Sequence, residues 1–262
     1  MNSTICVIIP YYNDIHITEA VDSVLNQTVK TDCIIVDDAS DYLPHLTKKV
    51  TVVRHNKNKG PGYAVNTGLK IVLKNKYEYI GIMASDAILS SRFIEEALKY
   101  LHGSNVSGVC AERKLANKEN RVAQLSYRYV IYKGQHFQLD ASLWKKGVFT
   151  IHHIPDLRQA EDAMFILSFK DKRQLKIIKP SYLHYEPENV KEFLWKTFVY
   201  AKGLYMQSGF KTVKLFLATP ITCMKMLLIQ KWIVESLFFP LRQLIRLIGF
   251  LRGVNYVFEI RR

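Results

Sequence analysis

Three segments of the chain share one pattern, in which an apolar run ends abruptly in polar side chains. The apolar run 79–83 is followed by Ser85 and Asp86, and the segments VIIPYYND (7–14) and CIIVDDASD (33–41) have the same form. The carboxyl ends of neighbouring parallel strands meet at one edge of a sheet, where ligands bind. The sequence therefore predicts a ligand crevice to which at least three strands deliver polar groups.

Strand and helix patterns alternate over the first hundred residues. The predicted strands are 5–9, 33–36, 50–53 and 79–83, and the predicted helices are 17–26, 61–73 and 92–101. Later predicted elements are a strand at 106–111, a helix at 160–169, a strand at 176–179 and a helix at 192–206. Regular alternation with nearly continuous apolar strands favours an α/β fold, with a mostly parallel sheet and helices on both faces.

The composition indicates a folded intracellular enzyme or binding domain. The chain has 262 residues, of which 48% are hydrophobic, so a large core is expected and disorder is not. None of the four cysteines (Cys6, Cys33, Cys110 and Cys223) has a metal-ligand spacing, which favours reduced thiols in the cytoplasm. We see neither a signal-peptide pattern nor a charge-free run of roughly 18 to 20 apolar residues that could span a bilayer.

Half of the net positive charge lies in the last fifth of the chain. The formal net charge is +14, and residues 211–262 hold nine Lys or Arg and two Glu. Residues 241–253 have the pattern of a basic amphipathic helix, which predicts a tail lying on an anionic membrane surface. Packing of this tail on the protein or in a homo-oligomer stays open. No aromatic-plus-basic motif supports nucleic-acid binding.

Several polar residues at the predicted strand ends are candidates for binding a nucleotide. Asn13 follows Pro10, a residue that predicts a strand end because it cannot donate to a ladder, and Asp38 ends the second strand. Amide and carboxylate groups can bond a base or a ribose, but ordinary turn and cap chemistry is the alternative. Gly60 and Gly62 precede a helix whose N-terminus could attract phosphate, or they simply start that helix.

Four further residues could carry metal or proton chemistry. Asp86 is a candidate ligand for Mg²⁺ or Mn²⁺, and His184 could bind a metal or a diphosphate. Glu161 and Asp162 open an apolar helix, where one of them could act as a general base or both could simply complement the helix dipole. Turn, cap or core roles remain the alternative for each residue.

Taken in order, these segments resemble the family-2 inverting glycosyltransferases of the GT-A fold. The similarity runs over about 5–205, through IIPYYN, SVLNQT, IIVDDASD, HNKNKGPGYAVNTGL, YIGIMASDAIL and QAEDAMF. The resemblance implies a GT-A catalytic domain over 1–208, with a donor half at about 1–111 and an acceptor half at about 112–208. Residues 209–262 would then form C-terminal amphipathic helices that associate with a membrane.

The resemblance also implies a role for each candidate. Asp162 would be the base with Glu161 beside it, Asp86 and His184 would hold Mn²⁺ or Mg²⁺, and Asp38 would contact the base of the nucleotide. The residues implied to bind the nucleotide sugar are Pro10, Tyr12, Asn13, Asp38, Gly60, Asn66, Ser85 and Asp86. The chain departs from the family at Ala84, where the first Asp of an Asp-x-Asp motif is expected, and at Val65, where an Arg is common.

The implied activity is transfer of one sugar from a nucleotide-diphosphate sugar, UDP-linked, to a hydroxyl of a glycan or polyprenyl-linked acceptor. The sugar would be a hexose or an N-acetylhexosamine, because the resemblance is to that class. Absence of a Gln-x-x-Arg-Trp motif favours single transfer over polymer extension. We expect a role in polysaccharide biosynthesis at the inner face of the cell membrane. The alternative is an inactive sugar-nucleotide-binding relative with a regulatory or interaction role, which Ala84 keeps open.

Overall fold

The computed structural model describes residues 4–42, 46, 50–131, 136–158, 161–203 and 239–248. The chain divides into two compact units. The first comprises Met1–Ala116 and Gln135–Tyr185, and the second comprises Asn117–Gly134 and Glu186–Arg262. The predicted boundary between a catalytic domain and a tail, at 208, lies outside the described residues.

The first unit is built on an eight-stranded mixed sheet. Its strands are β1 (Ile5–Tyr11), β2 (Asp32–Asp37), β3 (Thr51–Arg54), β4 (Tyr79–Met83), β5 (Ala87–Leu89), β6 (Gly108–Leu115), β7 (Ala141–Lys145) and β8 (Leu175–His184). Its helices are α1 (Ile17–Leu25), α2 (Pro61–Val72), α3 (Phe93–Leu101), α5 (Val148–Ile151) and α6 (Glu161–Leu167), with a 3₁₀ turn at Lys172–Gln174. The α/β class predicted from the sequence is confirmed.

The spatial order of the strands is β3-β2-β1-β4-β7-β6-β8-β5. Strands β1 to β4 are mutually parallel where they pair, as expected. β7 is antiparallel to both β4 and β6, and β5 is antiparallel to β8, so the sheet is more mixed than predicted. The sequence pattern did not predict β5 or β7. Each is a short apolar run, and the residues beside it show neither the helical nor the alternating spacing of apolar residues.

Alternation along the strands separates two cores, one on each face of the sheet. In β1, Ile5, Val7 and Ile9 pack in one cluster with residues of α1 and α3. Cys6 and Ile8 point to the other face and pack with residues of α2 and α6. The prediction of helices on both faces is therefore confirmed. Cys6, Cys33 and Cys110 are free and buried, and burial raises the pKa of the Cys6 and Cys110 thiols to about 12.

Two strands continue past a proline, and the first of these prolines, Pro10, was expected to mark a strand end. β1 runs one residue beyond Pro10 to Tyr11. β8 continues through Pro180 to His184, with an irregularity at which Ala111 pairs with Ile178 but Glu112 pairs with Ser181. Because proline cannot donate to the ladder, such a bulge is the usual way for a strand to accommodate it. The bulge lets β8 carry His184 to the edge of the sheet.

The second unit contains three described helices, namely α4 (Arg121–Ile131), α7 (Val190–Gly203) and α8 (residues 239–248). Tyr129, Phe193 and Phe239 pack together in its small core. Only α8 of the predicted tail falls within the described residues. None of the helices in the described part of the chain is both long enough and apolar enough to cross a bilayer.

Candidate active site

The three segments singled out in the sequence meet at one edge of the sheet. The Ser85 hydroxyl, after β4, donates to Asp14 Oδ2 at 2.7 Å, and Asp14 follows β1. The backbone N–H of Asn13 donates to Ser40 Oγ at 3.0 Å, which joins the end of β1 to the loop after β2. The predicted convergence of these strand ends is therefore present in the fold.

A charged cluster occupies the same edge on the side of β6, β7 and β8. Nε2 of His184 lies 3.4 Å from Asp86 Oδ1 and 3.5 Å from Asp140 Oδ2. Arg113 contacts Asp140 Oδ2 through NH1 at 3.2 Å, and the Tyr182 hydroxyl donates to Asp140 Oδ1 at 3.0 Å. The two residues predicted as metal ligands, Asp86 and His184, are thus neighbours.

Asp140, Arg113 and Tyr182 were missed by the sequence reasoning. Asp140 immediately precedes β7, and the Ala84 N–H donates to its carbonyl oxygen at 2.9 Å. The signal that could have found Asp140 is the short apolar run ASLW after it, which repeats in reverse the pattern of an acidic residue at a strand end. Arg113 lies in the second half of β6, in a stretch whose polar composition left its structure ambiguous.

The hydrogen bond to His184 Nδ1 fixes how this histidine can act. NH2 of Arg113 lies 2.9 Å from Nδ1 and is always a donor, so Nδ1 must accept. A neutral imidazole then carries its proton on Nε2, the atom that faces Asp86 and Asp140. In this arrangement His184 fits a hydrogen-bond donor and does not fit a metal ligand.

Two carboxylates of this cluster are of the kind that binds a divalent cation. Asp86 and Asp140 offer the carboxylate oxygens that Mg²⁺ and Mn²⁺ prefer, and such ions usually complete their shell with substrate phosphates and water. The described residues contain no group of three or more His, Cys, Asp or Glu able to hold a metal ion. Among the described residues, Asp86 and Asp140 therefore offer only part of the ligand shell of such a cation, and a metal-binding role for Asp86 stays a prediction.

The acidic pair at the start of α6 has perturbed acidity. Burial raises the pKa of Asp162; the Ala163 N–H and Arg113 lower it, whereas the charge of Asp140 raises it further. Burial and the neighbouring Asp162 raise the pKa of Glu161 from 4.5 to about 8. Because Asp140 and Arg113 act on Asp162 and also adjoin His184, Asp162 belongs to the same electrostatic environment as Asp86.

Both carboxylate oxygens of Asp38 have hydrogen-bond partners within the protein. Its Oδ1 lies 2.6 Å from His55 Nδ1, and its two oxygens accept the backbone N–H groups of Lys59 and Gly60 at 2.6 to 3.0 Å. His55 Nε2 in turn lies 2.8 Å from Thr67 Oγ1. In this arrangement Asp38 shapes the loop before α2, and its predicted contact with a nucleotide base stays a prediction.

The other residues predicted for donor binding divide into exposed and engaged groups. Tyr12 is 51% exposed beside the partly exposed Pro10, so its ring is accessible at the edge. The Asn13 side chain is paired with Asp41 in both directions, at 2.8 Å each. Gly60 and Asn66 contact residues 154–158, the segment that leads to α6. Their binding roles stay predictions.

Comparison with known proteins decides the family. The sequence profile described as Glycosyl transferase family 2 matches residues 6–159, which is more than half of the chain. The chain belongs to glycosyl transferase family 2. A relative described as an uncharacterized glycosyltransferase of Rickettsia felis is 38% identical over 112 residues. That match covers 40% of this chain and 18% of the relative, so the chain spans about a fifth of the relative's length.

Solved structures of glycosyltransferases share the fold. The mannosyltransferase PcManGT from Pyrobaculum calidifontis, in complex with GDP-Man and Mn²⁺, matches with a TM-score of 0.58 and 22% identity, covering 78% of this chain and 63% of that one. S. aureus TarS 1–349, in complex with UDP-GlcNAc, matches with a TM-score of 0.53 and 17% identity, covering 76% and 66%. The predicted GT-A fold of this family 2 chain is thereby confirmed.

Proposed function

We propose that the chain transfers one sugar from a nucleotide-diphosphate sugar, UDP-linked, to a hydroxyl of a glycan or lipid-linked acceptor, with inversion. The observation that carries this proposal is the placement of Asp162. The charges of Asp140 and Arg113 act on it, and both residues adjoin His184 beside Asp86. A partly buried carboxylate therefore lies within electrostatic range of the edge where a family 2 chain is expected to hold its donor diphosphate.

Asp162 is the proposed general base. Its raised pKa makes it a stronger proton acceptor than an exposed carboxylate, as general-base catalysis near neutral pH requires. It takes the proton of the acceptor hydroxyl as that oxygen forms a bond to the anomeric carbon. The bond from this carbon to the diphosphate oxygen breaks, and the diphosphate leaves with the electron pair. Attack opposite to the leaving group inverts the anomeric configuration.

The charged cluster is suited to the negative charge that develops on the leaving diphosphate. The Arg113 guanidinium and the Nε2–H of His184 are fixed donors whose positions are set by Asp140 and by each other. Asp86 is the residue that would hold a Mn²⁺ or Mg²⁺ ion, which would offset diphosphate charge when bound. Holding both substrates in line supplies a further large part of the rate.

We also propose that the second unit attaches the enzyme to an anionic membrane, at the inner face of the cell membrane. On α8, Leu241, Leu244 and Ile248 are each 40% to 44% exposed and share one face at spacings of three and four residues. Phe239 and Gln243, on the opposite side, are buried. An outward apolar stripe in a segment with net charge +7 suits a bilayer rich in anionic lipid. This location favours a polyprenyl-linked acceptor.

The deciding experiment is a transfer assay with the purified chain, Mn²⁺, a panel of UDP- and GDP-sugars, and soluble or polyprenyl-linked acceptors. We expect transfer from one donor and a product anomer opposite to that of the donor, read by NMR of the isolated product. A product with retained configuration would overturn the inverting mechanism. Donor binding without transfer or hydrolysis, over the whole panel, would favour the inactive sugar-nucleotide-binding alternative.

A further inference from the structure

Residues Ile154–Arg158, here called the strap, lie across the N-terminal half of α2. Asn66 Nδ2 donates to the Ile154 carbonyl at 2.8 Å and to Asp156 Oδ1 at 2.7 Å. The Gly62 N–H donates to the Leu157 carbonyl at 3.2 Å. Asn66 and Gly62, both on α2, therefore hold the strap by three hydrogen bonds.

The two glycines at this contact leave no room for a side chain. A Cβ at Gly62 would lie 2.3 Å from the Pro155 carbonyl oxygen, and a Cβ at Gly60 would lie 2.5 Å from Arg158 Cα. Gly60 also has φ +98°, a conformation that other residues rarely adopt. The sequence left these glycines open between a phosphate-binding helix start and a plain helix start, whereas in the fold they allow the strap to approach α2 closely.

The strap is continuous with the segment that carries the proposed base. Arg158 is followed three residues later by Glu161, the first residue of α6, and α6 packs beside α2 through Phe165, Val65 and Leu69 of one core cluster. The opposite end of the contact is residues 58–60, here called the donor loop because the sequence predicts that the sugar nucleotide binds beside it. Arg158 NH2 donates to the Asn58 carbonyl at 2.8 Å, and the N–H groups of Lys59 and Gly60 donate to Asp38.

We propose that Asn66 is a positioning residue for Asp162: it fixes the strap, and through the strap the start of α6, relative to the donor loop. This inference rests on the proposed role of Asp162 as the base. The contacts run without interruption from Asp38 through residues 58–60 to the strap. The strap that precedes α6 is therefore joined to the loop that a donor bound at Asp38 would contact.

An exchange of the Asn66–Asp156 pair tests the proposal. Asn66→Asp places two carboxylates face to face and removes the N–H donor to the strap, whereas Asp156→Asn keeps an acceptor for Asn66. The double variant restores one amide-to-carboxylate hydrogen bond with the roles reversed. Asn75→Ala is the matched control. Asn75 lies beyond the end of α2, and its exposed side chain donates one hydrogen bond, to the Ile71 carbonyl, which the substitution removes.

We expect Asn66→Asp to lower kcat by about a hundredfold, because small misplacements of reacting groups cost about that much. UDP affinity, measured by calorimetry, should stay within about twofold under the same principle, since the nucleotide itself is not misplaced. Asp156→Asn and the control should keep kcat near that of the unaltered chain, and the double variant should recover part of the loss. Hydrogen exchange at residues 154–158 should speed up in Asn66→Asp and slow again in the double variant.

Loss of UDP affinity with unchanged kcat would instead make Asn66 a donor ligand and overturn the proposal. So would an unrecovered kcat in a double variant whose strap exchange is normal. The exchange measurement also separates this inference from the proposed function. If the unaltered chain transfers no sugar, the proposed function fails, while faster strap exchange in Asn66→Asp still reports the tether.

Discussion

The Arg113 guanidinium donates a hydrogen bond to Nδ1 of His184 at 2.9 Å. This contact forces the imidazole proton onto Nε2, the nitrogen that lies between Asp86 and Asp140. A histidine near a diphosphate could act as a metal ligand or as a hydrogen-bond donor, and the contact with Arg113 favours the donor. The same guanidinium pairs with Asp140, so one buried arginine organises both neighbours.

Asp162→Asn should abolish transfer while leaving the donor bound. An amide cannot accept the hydroxyl proton, and general-base catalysis is worth about a hundredfold to ten-thousandfold. Initial rates of sugar transfer, together with UDP affinity by calorimetry, measure both halves of the prediction. Asp171→Asn, on the exposed Asp171–Arg173 pair, is the control and should keep full activity. Turnover retained by Asp162→Asn would move the base elsewhere.

Arg113→Met should destabilise the protein because it leaves Asp140 charged and without its guanidinium partner, with the Tyr182 hydroxyl as a neutral hydrogen-bond donor. Removing one member of a largely buried pair typically costs about 3 to 5 kcal/mol, and the two side chains are 9% and 21% exposed. Urea unfolding followed by circular dichroism measures the loss. The double variant Arg113→Met/Asp140→Asn should be more stable than Arg113→Met alone, and equal stability of the two would argue against the buried-charge explanation.

Glu161 should make stability fall as the pH rises from about 4.5 to 8. Its pKa is raised to about 8 in the folded protein from 4.5, so between these values the folded state holds a proton that the unfolded state has lost. Unfolding then releases a proton and becomes easier at higher pH. Glu161→Gln removes this dependence, and its Tm relative to the unaltered chain should increase from pH 5 to pH 8. A constant Tm difference over that range would refute the assignment.

Gly108→Ala should lower the free energy of unfolding, whereas Gly147→Ala should leave it nearly unchanged. Gly108 pairs with Trp144 across β6 and β7, and a Cβ there would lie 2.3 Å from the indole ring. Forcing an extra methyl into a packed core typically costs about 1 to 3 kcal/mol. A Cβ at Gly147 meets no atom within 4 Å. Chemical unfolding of both variants should therefore separate them, and equal stability would show that Trp144 can move aside.

Replacing Leu241, Leu244 and Ile248 by serine should weaken vesicle binding by at least about tenfold, since their apolar surface would no longer enter the interface. Co-sedimentation with anionic vesicles at low and high salt measures this. Leu167→Ser, which changes an exposed leucine of the first unit, is the control. Binding of the unaltered chain that is equally tight to neutral vesicles would contradict the electrostatic part of the membrane proposal.

The strands of the donor side could be predicted because their patterns are local. β4 has the bounds Tyr79–Met83 that its apolar run predicts, and α2 ends within one residue of its predicted end. β7 was not recognised in the same way, because its apolar run directly follows residues 112–138, a polar stretch whose sequence pattern is ambiguous. Asp140, which depends on β7 for its position, was missed with it.

The order of motifs correctly placed Asp86 beside His184. It could not show which groups within the protein already form hydrogen bonds with a polar side chain. The partners of Asp38 are the His55 ring and two backbone N–H groups some twenty residues away, and those of Asn66 lie about ninety residues away. Such bonds follow from tertiary packing and leave no periodic signal in a sequence. For this reason a residue type at a strand end predicts where a side chain goes more reliably than what it binds.

Ala84 and Asp140 have a consequence for how such proteins are searched for. The alanine stands where the family resemblance implies an acidic residue. Its N–H donates a hydrogen bond to the carbonyl of Asp140, which immediately precedes the adjacent antiparallel strand β7. A second carboxylate near Asp86 therefore comes from Asp140, more than fifty positions downstream of Ala84, and Nε2 of His184 lies within 3.5 Å of both carboxylates. A search that requires both acids in one short motif would discard this chain, whereas a comparison of spatially paired positions would retain it.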